Sequence, residues 1–277
     1  QNLEDAQRNK WRKLADMLDL RAGMHILEIG CGWGGFAMFA AREYGCKVTG
    51  ITLSTEQLAF AKNAAEEAQL SHLLDFQLID YRDVQGSYDR IVSIEMFEAV
   101  GEEHWPAYFK TVRDRLKPGG VAALQIITIE DERFDLYRKQ ADFIQLYIFP
   151  GGMLPSPSAL KDAVTKQGLG FETARTFGLS YAETLRRWRE VFDARWETIQ
   201  PLGFDWQIGI GIISSFAARE VIVSTLAIVY GVGADVAENH RSSLYDSMRH
   251  ATRSDGTPIF NVATCASLLV FYILAAQ

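Results

Sequence analysis

The feature that most constrains this chain is the run Glu28-Ile29-Gly30-Cys31-Gly32-Trp33-Gly34-Gly35. It follows the short, mostly apolar stretch His25–Ile29 and precedes a helical pattern over Phe36–Tyr44. A buried strand, a glycine turn and a helix in that order open an α/β fold. Gly30 and Gly32 permit a tight turn and let a ligand lie against bare backbone. The helix that follows points its first N–H groups at that ligand, which suits a carboxylate or phosphate. The alternation continues: further strands are expected at Lys47–Thr52, Leu74–Ile79, Tyr88–Ile94 and Val121–Ile129. Helices are expected at Ser54–Ala68 and His104–Leu116. Ser54 and Gln57 make a capping-box pattern at the first of these, and Pro118-Gly119-Gly120 stops the second. Five strands in series, most followed by helices, predict an α/β fold with a doubly wound, mostly parallel sheet. At 277 residues, 48% of them hydrophobic, the chain can bury a full core.

The flanking segments are less regular. Gln1–Leu20 has helical apolar spacing through Trp11, Leu14, Met17 and Leu18. Asp131–Tyr147 and Ser158–Gln167 read as helices joined by a turn at Pro150–Pro155, then Phe171–Phe177 reads as a sixth strand. Tyr181–Ile199 reads as a long amphipathic helix that places Trp188 and Trp196 in the core. After Pro201 the composition shifts to the apolar runs Ile208–Val232 and Phe260–Ala276, each at the lower limit for spanning a bilayer. A boundary is therefore expected at residues 200/201. A net charge of −7 provides no general field for nucleic acid. Three widely separated cysteines give neither a disulfide framework nor a zinc spacing, which fits a reducing cytoplasm. No basic segment followed by an apolar one opens the chain, so no signal peptide is expected.

Two cofactors compete for the glycine loop. Gly30, Gly32 and Gly35 satisfy the dinucleotide pattern G-x-G-x-x-G, but that pattern wants an acidic residue closing the second strand. Here that strand closes with Thr52-Leu53-Ser54, and no carboxylate comes before Glu56. The acid stands instead ahead of the glycines, as Glu28, and E-x-G-x-G-x-G fits S-adenosylmethionine (SAM). Cys31, inside the loop, reads as a small packing residue rather than a nucleophile.

Residues 1–200 resemble the cyclopropane-fatty-acid synthase family of SAM-dependent methyltransferases. The resemblance is carried by Leu3-Glu-Asp-Ala-Gln-Arg-Asn-Lys10, by Glu28–Gly35, by Val48–Gln57 (which includes Leu53), by Asp80-Tyr-Arg-Asp83, by Met96-Phe-Glu98 with Val100-Gly101, and by Tyr147-Ile-Phe-Pro-Gly-Gly152. It implies a Rossmann-like class I methyltransferase fold with a helical, substrate-covering insertion over 131–167. By position, Glu28, Gly30, Cys31, Gly32 and Gly34 would hold the methionyl part of SAM. Thr52, Leu53 and Gln57 would meet the ribose and amino-acid ends, Tyr81 and Arg82 would flank the adenine, and Ile94 would line the pocket. Glu98 matches the family's active-site glutamate, which helps to hold a bicarbonate. The implied reaction is transfer of a methyl or methylene group to the double bond of an unsaturated phospholipid acyl chain. The implied setting is the cytoplasmic face of the inner membrane, with a homodimer as one assembly.

The sequence departs from that family in three places. The family's Leu-His-Thr-Ile strand reads here Leu124-Gln125-Ile126-Ile127, which replaces a titratable histidine by an amide and favours methylation without ring closure. The family's Tyr-Ser-Cys loop would precede Gln1. Its C-terminal tyrosine and seventh strand are expected after Asp205, where the sequence changes character. Residues 201–277 resemble instead the C-terminal membrane region of the bacterial ferrous iron transporter, protein B, through Pro201–Ile210, Ser214–Val221 and Phe260–Gln277. Two other readings follow from this: a SAM-binding chain disabled by a fused C-terminus, and a membrane-transporter fragment.

Overall fold

The computed structural model describes residues 2–139, residues 152–199 and the isolated positions 250, 252 and 258. Of these, residues 2–139 and 152–173 belong to one compact unit, and the residues from Ala174 onward belong to a second.

The first unit is built on five strands: β1 (His25–Ile29), β2 (Lys47–Thr52), β3 (Leu74–Leu78), β4 (Tyr88–Ile94) and β5 (Leu116–Gln125). They lie in the order β3-β2-β1-β4-β5, every pair parallel. The helices are α1 (Leu3–Met17), α2 (Gly35–Tyr44), α3 (Thr55–Glu67), α4 (Trp105–Arg115), α5 (Asp131–Tyr137) and α6 (Pro157–Thr165), with two single 3₁₀ turns at Phe97–Ala99 and Glu102–His104. The sheet is covered on both faces, as parallel sheets require. Alternate residues of β1 feed opposite cores: Ile26 joins α1, α2 and α3, whereas Leu27 and Ile29 join α4, α5 and α6. The second core is aromatic around Phe97, whose ring lies 5.0–5.4 Å from those of Trp105, Tyr108 and Phe109.

Local chemistry sets the helix ends. The Asn2 side chain accepts the Asp5 N–H at 2.7 Å and starts α1. Ser54 starts α3 as expected, accepting the Gln57 N–H at 3.2 Å. The reciprocal arm of the capping box is rerouted: the Gln57 carbonyl accepts from the Thr52 hydroxyl, and Thr52 Oγ1 accepts the Ser54 N–H.

Several expectations are corrected. β5 begins earlier than Val121 because Pro118-Gly119-Gly120 does not end the pairing. Leu116 pairs with Tyr88, the ladder resumes with Val121 opposite Arg90, and the extra residues are taken up in an irregularity where Gly119 adopts a φ of 75°. β5 also stops earlier than Ile129, because β4 ends at Ile94 opposite Gln125 and leaves the next residues no partner. The expected sixth strand at Phe171–Phe177 is coil. Between its two phenylalanines stand only Glu172, Thr173, Ala174, Arg175 and Thr176, all exposed, with no apolar face to hold them on a sheet.

In the second unit, α7 (Gly178–Ala194) and α8 (Trp196–Ile199) replace the single helix expected over Tyr181–Ile199. Trp188, expected in the core, is 56% exposed, and the side chain of Trp196 lies outside the described residues. Also outside them are residues 140–151, with the second half of the helix expected over Asp131–Tyr147, and all of 201–277 apart from three isolated positions. No helix among the described residues is long and apolar enough to cross a membrane.

Candidate active site

All five strands run the same way, so their carboxyl ends and the loops that follow them share one edge of the sheet. In open α/β sheets ligands sit at that edge, where the strand order reverses. Here the reversal falls between β1 and β4.

The glycine loop leaves β1 with the N–H groups of Gly30 and Cys31 both donating to the Ile51 carbonyl of β2. Gly30 has a φ of 77°, and a Cβ there would meet Met96 Cγ at 2.6 Å. Gly32, with a φ of 53°, is different: a Cβ there would meet nothing within 4 Å. The loop thus packs against the post-β4 segment at Gly30 and faces open space at Gly32. Glu28 is fully enclosed behind it. Its carboxyl accepts the Ala37 N–H from the first turn of α2, yet burial dominates and pushes its pKa up to about 8. Its Oε2 has no hydrogen-bond partner. Cys31 is buried, and loss of hydration pushes its thiol up to about 12, so it is inert as a nucleophile.

At the end of β2, Thr52 and Gln57 are joined by the 2.7 Å bond described above, while the Leu53 side chain stands 72% exposed. After β3, Arg82 folds back on Asp80 through two bonds of 2.8 and 2.9 Å and lies 5.8 Å from the Tyr81 ring centre. Tyr81 itself is buried against Tyr108, with ring centres 5.2 Å apart.

At the ends of β4 and β5 the chain makes two parallel cross-links. Glu98 Oε1, in the 3₁₀ turn after β4, accepts the Ile127 N–H at 2.6 Å. Glu98 Oε2 is buried without a partner. Burial raises the Glu98 pKa, the Ile127 bond opposes the rise, and nearby Glu95 adds to it. The second link joins Glu95 and Gln125 twice: the Glu95 N–H donates to the Gln125 carbonyl at 2.9 Å, and the Gln125 side-chain amide donates to Glu95 Oε1. The same oxygen lies 4.0 Å from Lys10 Nζ of α1. Beyond the insertion, Met153 N–H donates to the Glu98 carbonyl at 2.9 Å, and Ile129 N–H to the Pro155 carbonyl at 3.0 Å, so residues 152–155 are laid against this edge.

The structure therefore gathers Glu28, the glycines, Thr52, Leu53, Gln57, Ile94, Glu98, Gln125 and Ile127 along one edge. Tyr81 is mostly withdrawn into the core. Glu95, Lys10 and Tyr108 were not singled out by sequence. Lys10 lies in a motif of the family resemblance, which is a signal that was available. Tyr108, with its hydroxyl fully enclosed, lies within the helix expected over His104–Leu116 and carries no motif of its own. Glu95 carries no sequence signal, since its φ of 52° is not readable from residue type.

Sheet order, glycine loop and flanking helices define an α/β class I methyltransferase fold. The mycolic acid cyclopropane synthase CmaA1, solved with SAH and CTAB, superposes with a TM-score of 0.66 at 25% identity, covering 87% of this chain and 81% of that one. Residues 1–208 match the family described as mycolic acid cyclopropane synthetase, and the chain belongs to that family of SAM-dependent methyltransferases. The match runs past the boundary expected at 200/201. The tuberculostearic acid methyltransferase UfaA1 of Mycobacterium tuberculosis is 43% identical over 204 residues, 73% of this chain and 48% of that protein. The cyclopropane-fatty-acyl-phospholipid synthase of Escherichia coli is 39% identical over 198 residues, 72% of this chain and 50% of that protein. The chain thus spans about half the length of the curated relatives it matches.

Proposed function

We propose that this chain transfers a methyl group from SAM to the double bond of an unsaturated phospholipid acyl chain presented at a membrane surface. The observation that carries this reading is Glu98, fixed by the Ile127 N–H and keeping one enclosed, unpartnered carboxyl oxygen at the strand edge beside the glycine loop. The loop fits SAM. Gly32 leaves open space where the methionyl end would lie, and Glu28 stands enclosed behind the loop with its Oε2 unpartnered. Thr52, Leu53 and Gln57 would meet the ribose and amino-acid ends.

When bound, SAM supplies a methyl group already activated on a sulfonium, so the protein's task is to position it and to exclude water. Attack by the alkene would form a C–C bond to that methyl as its bond to sulfur breaks, releasing S-adenosylhomocysteine and leaving the positive charge on the acyl chain as a carbocation. A C–H bond next to the cation or on the new methyl then breaks. Its electrons form a double bond or close a ring, and its proton goes to Glu98 Oε2, which burial has made a better proton acceptor. Gln125 cannot titrate, which supports a methyl- or methylene-branched product over a ring.

Two measurements test the reading: calorimetric titration with S-adenosylhomocysteine, and turnover on vesicles of unsaturated phospholipid. Glu98→Gln should lower kcat by at least about 100-fold and leave the binding isotherm unchanged. Absence of binding by the wild-type chain, or full activity of the variant, refutes it.

A further inference from the structure

The resemblance that motivates the proposed function also implies a bicarbonate held at Glu98, and this structure does not fit one. An oxyanion needs donors turned toward it. At this edge the Ile127 N–H is spent on Glu98, and the Gln125 amide is turned to Glu95. Because a carboxylate only accepts, the Gln125 group facing Glu95 must be its NH₂, and its carbonyl oxygen faces away. The cation in the cluster, Lys10, is also directed at Glu95. An incoming anion would meet two carboxylates, Glu95 and Glu98, in place of a cradle of donors.

The geometry of Glu95 is unusual for its residue type. Its φ of 52° puts a non-glycine residue in the left-handed region, a conformation that persists only where surrounding contacts over-determine it. Two hydrogen bonds to Gln125 and the Lys10 ammonium supply those contacts. An ammonium and an amide N–H converging on one oxygen are the donor set of a carboxylate or bicarbonate site, and here the chain fills that site with its own side chain.

We propose that Glu95 is a built-in anion: a positioning residue that occupies the Lys10–Gln125 donor pair, makes the chain independent of bicarbonate, and turns the Gln125 carbonyl oxygen rather than its N–H toward the reacting chain. The inference rests on the proposed function for its catalytic consequence, but not for its binding consequence. Removing the carboxylate should open the donor pair to a small external carboxylate or bicarbonate.

The test uses the full chain with Glu95→Gly and Glu95→Gln. Both variants lose the charge that faces Lys10 and only glycine relieves the strain, so the Tm of Glu95→Gly should exceed that of Glu95→Gln by roughly 2–4 °C, with S-adenosylhomocysteine affinity within about twofold of the wild type. Titration of ¹³C-bicarbonate followed by NMR should show binding to Glu95→Gly at millimolar concentrations and none to the wild type at the same concentrations. Methyl transfer to unsaturated phospholipid should fall at least about tenfold in both variants. Bicarbonate or formate should restore it in Glu95→Gly, which has room for the anion, and not in Glu95→Gln. Wild-type bicarbonate binding equal to that of Glu95→Gly overturns the proposal, as does bicarbonate stimulation of wild-type turnover. Should the wild type transfer no methyl group, the proposed function fails while the bicarbonate and Tm comparisons still decide the role of Glu95.

Discussion

Glu28→Gln should make this protein more stable at neutral pH while leaving it unchanged in acid. The Glu28 carboxyl is enclosed and raised from 4.5 to about 8, with burial as the dominant cause. In the unfolded chain it ionises near 4.5, whereas in the folded chain it keeps its proton until near 8. Below the unfolded value both states are protonated and the group costs nothing. Above it the unfolded state gains by releasing the proton, so folding stability falls by about 1.4 kcal/mol for each pH unit. Between 4.5 and pH 7 that accumulates to ~3 kcal/mol, levelling off above about 8. Glutamine keeps an acceptor for the Ala37 N–H and cannot ionise. It leaves an unpartnered amide N–H where the acid has an unpartnered hydroxyl, so about 2–3 kcal/mol of the gain should survive. Urea unfolding of both proteins at half-unit intervals from pH 4 to 9 reads this directly. The two curves should coincide near pH 4 and diverge steadily to pH 8. Parallel curves across that range would show that Glu28 is ionised in the folded state and refute the reasoning.

Other substitutions separate the roles of neighbouring residues. Both glycines have left-handed backbone that strains an alanine by about 1 kcal/mol; Gly30→Ala also drives a methyl group into Met96 and should cost about 1–3 kcal/mol more, whereas Gly32→Ala meets no protein atom and should in addition weaken S-adenosylhomocysteine binding in calorimetry. Equal losses of stability in the two would remove the case for a ligand at Gly32. Phe97→Ala, at the centre of the aromatic core, should cost about 3–5 kcal/mol in denaturant unfolding. Iodoacetamide at pH 7.5 should leave Cys31 unmodified in the folded chain by mass spectrometry, because its thiol is pushed up to about 12; prompt alkylation would contradict its burial.

The sheet was legible because each parallel strand is a short apolar run bounded by turn residues, and the Ser54–Gln57 cap is written in residue type. β5 was misjudged at both ends because its limits depend on β4: Gln125 ends the strand only because Ile94 ends its neighbour. Phe171–Phe177 shows the converse, a run with aromatic ends and nothing between them to pair. At the site, Glu28 and Glu98 were readable from motif, since their neighbours Gly30 and Met96-Phe97 are distinctive. Glu95 was not, because its partners Lys10 and Gln125 come from the first helix and the last strand, and its backbone conformation is set by them.

The strand order also implies a sequence of assembly. Residues 25–78 pair β1, β2 and β3 between chain neighbours, so each ladder closes over a single helical crossover. The central strand then waits for β4, across a separation of 64 residues at both the His25–Asp89 and Ser93–Ile29 bonds. Local pairings form faster than distant ones. A nascent chain can therefore complete the glycine-loop half of the molecule while the Glu98 half is still being synthesised. Until β4 arrives, the open side of β1 offers a bare row of backbone donors and acceptors, and chaperone capture or mispairing would strike there.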